Sequence, residues 1–590
     1  MTRLPTLEAA AISIDKPGLR IDFLGLATPP MGDSRLPSPV SAAEISPSSS
    51  TRRPAPPSQL PKWLLWAVLA LAVVTSVGIR LRLRDFPLER DEGEYAYAGQ
   101  LILEGIPPYK LAYNMKMPGT YVGYAALMAV FGQTPAGIHI GLIVVQLATL
   151  ALLFVLARRF VGESGAVIAT AAYALMTLSP SYLGLAAHAT HFVVLPALAG
   201  FLVLLWKEEH SSPWACLASG CLFGIAFLMK QPGVVFGMFG GLYLVYLQLR
   251  SRPFPKNLAV ARIACFAGGC ILPFLAVCFW MACAGVFGNF WYWTISYARA
   301  YEAVLPFSVG LETFQHSFQP MVAAAPFLWA LAAFGLVVVC FEAGSANRRL
   351  FLLGFLVFSF LGVCPGLYFR NHYFIVLLPA LTLLMGAGVS WAEKRLAETQ
   401  DGAQARFLPF ILATLACALS LYPNRKVFFW DSPNEACQQI YGGNPFVESL
   451  EIARYLEEHT TKSDTIAVIG SEPQIYFYSH RHSATGQIYT YPLMEAQPFA
   501  REMQDKMINE IERSKPKYYV LVQTPLSWLA GPNSDQHIVE WAGEEMKKNA
   551  VLDGLMQLTL AKNPEGVWGP EAGNAPLRSR YFVAIYKRKD

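Results

Sequence analysis

Long apolar stretches separated by short polar ones fill the middle of the chain, and this pattern predicts helices that cross a membrane. A spanning helix needs about 20 apolar residues. Eleven stretches approach that length, at residues 63–80, 135–156, 164–183, 188–206, 213–229, 231–249, 260–284, 320–341, 350–367, 372–391 and 405–422. The pattern therefore predicts an α-helical polytopic membrane protein with about 11 transmembrane helices.

The two ends of the chain have a different character. Residues 1–60 are rich in proline and serine and are expected to be disordered, because they cannot bury a core. After residue 422 the helical periodicity of FVESLEIARYLEEHT and the strand-like runs TIAVIG, KYYVLVQT and RYFVAIYKR predict a soluble α/β domain. We therefore expect three parts: a disordered segment (1–60), a membrane domain (61–422) and an α/β domain (423–590). The α/β domain suggests a Rossmann-like layout, although no GxGxxG follows the first strand and no nucleotide site is predicted.

Basic residues in the short loops predict the orientation, since cytoplasmic loops are enriched in lysine and arginine. If the short apolar run 118–132 lies at the membrane interface and does not cross, the basic loops fall on one side, at Arg158, Arg159, Lys207, Arg262, Arg348, Arg349 and 394–406. The N-terminus is then cytoplasmic, and residues 423–590 lie on the outer, or periplasmic, side of the cytoplasmic membrane. The exceptions are Arg80, Arg82 and Arg84, a positive cluster on the outer side that would attract an anionic substrate.

Composition excludes several other classes of protein. Only 15% of the residues are charged and 54% are apolar, whereas soluble domains carry about 25% charged residues. The net charge of +5 comes from loops that flank the membrane, so we predict no nucleic-acid partner. Nine of the ten cysteines lie in or beside apolar runs and none forms a CxxC pair, which indicates neither a disulfide framework nor a cysteine metal site.

The predicted outer loops carry most of the chemically interesting residues. The first contains Asp91, Glu92 and Lys116, and later ones contain His188, His191, Lys230, the aromatic run FWYW at 290–293, Arg370 and His372. Ionisable residues at a membrane boundary are costly unless they face water or a partner. A carboxylate there can act as a general base, and lysine and arginine can hold a phosphate. An aromatic-rich loop suits a sugar ring or a lipid chain.

Each of these residues also has an ordinary structural interpretation. Loop charges beside a membrane are usually solvated, Lys230 and Arg370 would then extend to the interface, and the FWYW run would form an interfacial aromatic belt. His188 and His191 would cap a helix near water. Their spacing also suits a metal, but no third ligand is evident, so we predict no cofactor and leave only a divalent metal open.

Several motifs together resemble a known family. DEGEYAYAGQLILEGIPPY, KMPGTYVGYAALMAVFG, LARRFVG, GIAFLMKQPG and HYFIVLLPALTLLMGAGV occur in that order. This order resembles the bacterial GT-C glycosyltransferases related to protein mannosyltransferases and to the aminoarabinose transferase of lipid A. The resemblance covers about 63–422 and extends weakly to VIGSEPQIYFYSHRHSATG at 468–486.

The resemblance implies a fold and an activity. The fold is a GT-C-like helical bundle with its active site at the outer face, and the donor is a sugar carried on a polyprenyl phosphate. Asp91 would be the base or would orient the acceptor, with Glu92 beside it as the second catalytic candidate. The residues implied for binding the substrate or its phosphate are Lys116, Lys230, Arg370, His372, Tyr95 and Tyr109.

The sequence departs from the family pattern at two places. Thr190 stands in AHATHF where related sequences often have an acid, so a second carboxylate, and any metal it would hold, is missing there. The Lys-Pro-Pro turn of the family reads Lys116-Met117-Pro118.

The resulting hypothesis is an inverting sugar transfer to a lipid, glycan or protein acceptor, with Asp91 as the base. Two alternatives remain. One is a lipid or solute transporter or flippase, which would usually place ionisable groups near the bilayer midplane. The span interiors here lack Asp, Glu and Lys, which favours the enzyme. The other is a non-catalytic GT-C-like protein, which the missing acid at Thr190 leaves open.

Overall fold

The computed structural model describes residues 60–590 apart from 207–211, 252–255, 303–304, 343, 399–404, 406, 560–563, 565 and 590. The prediction of disorder for 1–60 therefore falls outside the described residues except at Leu60, and Lys207 and part of the basic run 394–406 also fall outside them. In the described part up to residue 422, the α-helices are Lys62–Arg82, Arg90–Leu103, Pro118–Phe131, Pro135–Met176, Ala189–Leu205, Pro213–Met229, Val234–Arg250, Lys256–Cys283, Phe287–Trp291, Ala298–Glu302, Phe307–Ala324, Pro326–Phe341, Ala346–Leu361, Leu378–Ala397 and Leu408–Leu419.

These apolar helices make the chain a multi-pass membrane protein. Within the described residues, four helices are long and apolar enough to cross a membrane, or five if one bent pair counts as a single span. Ala189–Leu205, Pro213–Met229 and Leu408–Leu419 are shorter apolar helices. The count of about 11 spans therefore stays a prediction.

Two breaks in the helices have local causes. The range Pro135–Met176 contains two helical segments, because the backbone of Gly162 is not helical. Its φ is 73°, a conformation that glycine adopts without a Cβ penalty. The prediction of one continuous helix over 320–341 is wrong, because the helix breaks at Ala325. Phe307–Ala324 and Pro326–Phe341 meet there at 103°. Pro326 cannot donate a backbone hydrogen bond and disfavours helical geometry at Ala325, so one helix ends and another begins.

Helix Pro118–Phe131 corresponds to the run predicted to lie at the interface. Its 14 residues are too short to cross the bilayer alone, since at 1.5 Å per residue they extend about 21 Å against a hydrocarbon core of about 30 Å. It packs beside helix Arg90–Leu103, which carries the DEGEY motif. Its length agrees with a helix at the interface, and that placement stays a prediction.

The polar part after residue 422 contains a six-stranded sheet. Its strands are β1 (Thr465–Ile469), β2 (His482–Ser483), β3 (Tyr518–Gln523), β4 (Ala550–Gln557), β5 (Gly566–Trp568) and β6 (Phe582–Arg588), in the spatial order β2-β1-β3-β6-β4-β5. β1, β2 and β3 are parallel, as a Rossmann-like layout requires, but β6, β4 and β5 pair antiparallel. The Rossmann-like expectation therefore describes only half of the sheet.

Helices accompany the sheet and bring it against the first loop. They are Arg425–Phe429, Pro433–Tyr441, Glu448–His459, Gln474–Ser479, Tyr491–Met494, Ala500–Ser514, Pro525–Trp528 and His537–Asn549. Helix Gln474–Ser479 lies so close to helix Arg90–Leu103 that a Cβ on Gly93 would come within 2.6 Å of the Gln474 backbone nitrogen. Glycine at position 93 therefore permits the contact that joins the two parts.

Candidate active site

A cavity of about 480 Å³ lies where the loops of the helical bundle meet the sheet domain. Two sets of residues line it. The first loop and the bundle contribute Glu89, Arg90, Asp91, Asn114, Met115, Lys116, Leu183, His188, Lys230, Gln231, Pro232, Tyr297, Ala298, Tyr301, Thr313, Ser317, Pro365, Tyr368, Arg370, Asn371, His372 and Tyr373. The sheet domain contributes Tyr489, Tyr491, Pro492 and Glu495.

Asp91 lies in the first turn of helix Arg90–Leu103, next to the cap that fixes the start of that helix. Glu89 and Glu92 form a reciprocal capping box there. One carboxylate oxygen of Asp91, Oδ1, accepts hydrogen bonds from Lys116 Nζ at 2.7 Å and from the Tyr489 hydroxyl at 3.1 Å. Burial opposes the charge, but Lys116 and two histidines overcome it and hold the pKa of Asp91 well below its usual range. Asp91 is therefore an ionised carboxylate in the cavity wall.

Lys116 forms ion pairs with two carboxylates. Its Nζ lies 2.7 Å from Asp91 Oδ1 and 2.7 Å from Glu94 Oε2. Glu94 is buried and also accepts hydrogen bonds from the Asn114 amide and the Tyr121 hydroxyl. Two carboxylates thus balance one ammonium group, and the positive charge of Lys116 is neutralised locally.

Lys230 is a different kind of cation. It follows helix Pro213–Met229, and its Nζ lies 3.9 Å from the centre of the Tyr373 ring. Within the described part of the chain, no carboxylate oxygen lies within 4.0 Å of it. Burial, which the attraction of Asp91 only partly offsets, lowers the pKa of Lys230 to about 7. Arg370 also lines the cavity, and among the described residues no carboxylate oxygen lies within 4.0 Å of either cation.

Two histidines face the other oxygen of Asp91. His188 Nδ1 and His372 Nε2 lie 3.9 Å and 3.8 Å from Asp91 Oδ2, and the two rings stack with centres 4.1 Å apart. Neither ring nitrogen of His188 has a hydrogen-bond partner among the described residues. One ligand atom from each of Asp91, His188 and His372 lies within 4.8 Å of the others. A carboxylate and two imidazoles are a donor set that suits a divalent transition metal.

Of the two histidines whose spacing suits a metal, only His188 belongs to this cluster. His191 turns away and lies 2.5 Å from the side-chain amide of Gln146. The third donor that the sequence did not reveal is His372, which comes from a distant loop. His188 and His372 are 184 residues apart in the sequence, so local spacing cannot show that their rings stack.

Glu92, Tyr95 and Tyr109 are predicted site residues that the structure places behind the cavity wall. Glu92 is wholly buried and accepts hydrogen bonds from the backbone N–H of Ala187 at 2.6 Å and of Glu89 at 3.3 Å. One of its oxygens also lies 3.0 Å from Nε2 of the buried His139. Tyr109 donates its hydroxyl to the Lys116 carbonyl, and the ring of Tyr95 lies 4.6 Å from Lys116 Nζ. These three residues hold the wall in position.

The predicted positive cluster at Arg80, Arg82 and Arg84 does not face the cavity. Arg80 is buried and donates to the carbonyl oxygens of Gly184 and Thr177. Arg82 donates to backbone carbonyls of Val427 and Asp431 in the next part of the chain. Arg84 is exposed beside Asp85. The first two arginines join chain segments, which is a structural use of their charge.

Residues of the sheet domain are the ones that sequence reasoning missed. Tyr489 donates to Asp91, and Tyr491 lies against Arg90, which is paired with Glu472 at 2.8 Å. The only signal for them in the sequence is the tyrosine-rich run QIYTYP. Glu495 also lines the cavity and accepts the Tyr297 hydroxyl at 2.7 Å. Burial raises the pKa of Glu495 to about 7.

Comparisons with known proteins agree with this architecture. A family model described as dolichyl-phosphate-mannose-protein mannosyltransferase matches residues 116–280. No curated protein sequence matches the chain. The structure of ArnT from Cupriavidus metallidurans, bound to undecaprenyl phosphate, is similar with a TM-score of 0.55 and 15% identity, covering 89% of this chain and 98% of that one.

A second solved structure shows the same likeness. The oligosaccharyltransferase AglB from Archaeoglobus fulgidus, in complex with an inhibitory peptide and a dolichol-phosphate, has a TM-score of 0.52 and 12% identity. The match covers 90% of this chain and 76% of that one. The chain thus has the GT-C fold seen in ArnT and AglB, and residues 116–280 are similar to the protein mannosyltransferase family model.

Proposed function

We propose that this protein transfers a sugar from a polyprenyl-phosphate donor to an acceptor at the cavity beside Asp91. The observation that carries the proposal is the pairing of opposite charges in one cavity wall. An ionised carboxylate, Asp91, shares it with Lys230 and Arg370, neither of which makes a direct ion pair with a described carboxylate. ArnT and AglB have the same fold and were solved with undecaprenyl phosphate and a dolichol-phosphate. This supports a polyprenyl-phosphate donor for the present chain.

In the proposed reaction the acceptor oxygen or nitrogen attacks the anomeric carbon of the donor sugar. The bond from that carbon to the phosphate oxygen breaks with inversion, and its electron pair leaves with the phosphate. Lys230 and Arg370 stabilise the charge that develops there. Asp91 orients the acceptor N–H or O–H and receives its proton.

The basicity of Asp91 bears on how much of the rate acceleration comes from proton transfer and how much from other effects. The pKa of Asp91 lies well below its usual range, so this carboxylate is a weak base and orients the acceptor more than it activates it. Most of the acceleration then comes from positioning and from stabilising the leaving phosphate. If a divalent ion binds this site, Asp91, His188 and His372 are the residues that would hold it, and it would add Lewis-acid stabilisation of charge.

The orientation belongs to the same proposal. The basic loops favour a cytoplasmic N-terminus, so the cavity and the sheet domain would lie on the outer side of the cytoplasmic membrane. The acceptor would then be a lipid, glycan or protein that is exposed outside the cell membrane.

The test uses purified protein, a radiolabelled polyprenyl-phosphate sugar and a panel of lipid, glycan and peptide acceptors. Transfer by the wild type and its loss in Asp91→Asn are the expected results. Asp85→Asn is the matched control, because Asp85 is exposed and lies outside the cavity. Both variants should remain folded and membrane-inserted. Full transfer by Asp91→Asn would remove Asp91 from the reaction, and no transfer by the wild type to any acceptor would contradict the proposed activity.

A further inference from the structure

A second, smaller cavity lies beside the FWYW run, outside the cavity that contains Asp91. Its volume is about 210 Å³, below the range of drug-sized ligand pockets and suited to a single small ring. The wall of this small cavity includes Asn289, Tyr292, Trp293, Gln487, Glu502 and Lys506. Tyr292 and Trp293 belong to the FWYW run, for which the proposed reaction has no role.

Two buried hydrogen-bond donors in this wall lack partners. Trp293 and Gln487 are each 1% exposed, and the indole Nε1 of one and the amide Nε2 of the other make no hydrogen bond within the described residues. A buried donor without an acceptor costs free energy. Two such donors in the wall of one small cavity are most simply explained by a ligand that supplies acceptor oxygens.

The remaining side chains indicate that the ligand is neutral. Glu502 and Lys506 contribute opposite charges to the small cavity, so neither sign of ligand is favoured overall. The Lys506 ammonium also lies 4.2 Å from the centre of the Tyr113 ring, and Tyr113 stacks on Trp293. A free phosphate or carboxylate would approach Glu502 at the cost of like-charge repulsion.

Aromatic walls with hydrogen-bonding groups between them match the chemistry of a sugar. The ring oxygens and hydroxyls of a sugar accept from N–H donors, its hydroxyls donate to a carboxylate, and its C–H faces lie against aromatic rings. Tyr292 supplies such a ring, and Glu502 supplies the carboxylate. We infer that this small cavity binds one neutral sugar unit, held by the indole of Trp293 and the amide of Gln487.

The two cavities are connected through one helical segment. Residues Tyr292–Tyr297 form a π-helical turn, and the rings of Trp293 and Tyr297 are in contact with centres 5.3 Å apart. Trp293 lines the small cavity and Tyr297 lines the large one. If the proposed transfer holds, the small cavity would bind a sugar unit of a glycan acceptor, and only this extension rests on the proposed function.

The test measures binding without turnover. Methyl glycosides of hexoses, pentoses and N-acetylhexosamines are mixed with the detergent-solubilised full chain, and binding is followed by saturation-transfer NMR. At least one glycoside should bind the wild type. Trp293→Phe and Gln487→Met should each weaken it by about fivefold to tenfold, the factor expected for one lost hydrogen bond. Trp291→Phe is the matched control, because Trp291 is 44% exposed and lies outside the wall of the small cavity.

A second readout separates a binding role from a structural one. Gln487→Met removes a buried donor that lacks a partner and nearly preserves side-chain volume, so it should not lower the melting temperature of the unliganded protein. Trp293→Phe leaves a cavity beside Tyr113 and should lower it, so that variant is compared by its binding alone. The inference is overturned if no glycoside binds the wild type, if binding ignores both substitutions, or if inorganic phosphate displaces the glycoside stoichiometrically. Because Asp91→Asn leaves the small cavity intact, glycoside binding by that variant keeps this test independent of the transfer assay.

Discussion

The lowered pKa of Lys230 predicts how the binding of an anionic lipid depends on pH. Lys230 is half protonated near pH 7, so each further pH unit leaves about one tenth as much of the charged form. If the ammonium group holds the phosphate, the Kd for undecaprenyl phosphate should rise about tenfold per unit between pH 7.5 and 9. The second ionisation of the phosphate, near pH 6, is complete in that range.

Two substitutions of Lys230 separate its charge from its titration. Lys230→Arg keeps the charge at all these pH values, so binding should stay tight and become independent of pH. Lys230→Met should bind weakly at every pH, with no slope. The measurement is equilibrium binding of radiolabelled undecaprenyl phosphate to the detergent-solubilised protein at several pH values.

Other charged groups face Lys230, and they define the result that would refute the reasoning. Asp91, Lys116, Arg370 and Glu89 all act on it electrostatically. The first three keep their charges throughout the pH range, but burial and two neighbouring acids raise the pKa of Glu89. If Lys230→Arg retains the tenfold slope, another group titrates and the assignment to Lys230 fails.

Three further outcomes follow from the same charges. Lys116→Met should cost about 3–5 kcal/mol of stability, because it leaves the charges of Asp91 and Glu94 without their partner; urea unfolding would measure it, and a loss below 1 kcal/mol would contradict the ion-pair network. Glu92→Gln should lower stability by about 1–3 kcal/mol while folded protein keeps most of its transfer activity, since Glu92 binds backbone groups behind the wall; full stability with lost transfer would instead indicate a catalytic role. Glu495 keeps its proton in the folded protein up to about pH 7 but loses it near pH 4.5 when unfolded, so the melting temperature should fall as pH rises from 5 to 7.5, and Glu495→Gln should flatten that fall; parallel curves would refute the shift.

The sequence predicted the class of the protein better than the composition of its site. Runs of apolar residues and a polar C-terminal part sufficed for a multi-pass protein with a small sheet, because hydrophobic periodicity is a local signal. The run RYFVAIYKR correctly predicted β6, but β2, β4 and β5 were not recognised. The antiparallel pairing was not recognised either, since pairing between distant strands leaves no such signal. The break at Ala325 was missed because the surrounding residues are apolar on both sides of Pro326.

At the site, the sequence identified several residues that line one cavity but not the partners of those residues, and their roles stay predictions. Asp91, Lys116, Lys230, Arg370 and His372 do line one cavity. The sequence alone gave no means of knowing that Lys116 is neutralised by two carboxylates. It also gave no means of knowing that Glu92, although adjacent to Asp91, lies behind the cavity wall and contacts backbone N–H groups and His139. Successive residues on a helix point about 100° apart, so adjacent acids rarely share an environment.

The hydrogen bond from Tyr489 to Asp91 joins groups that are 398 residues apart. During synthesis, a chain that has already formed every helix up to residue 422 still lacks a finished site, because Tyr489, Tyr491 and Glu495 have not yet emerged. A chain terminated before residue 489 would thus contain Asp91 and Lys116 but would lack the residues that close the cavity over them. The cavity therefore has its complete lining only after residues 489–495 have been synthesised and have folded onto the helices.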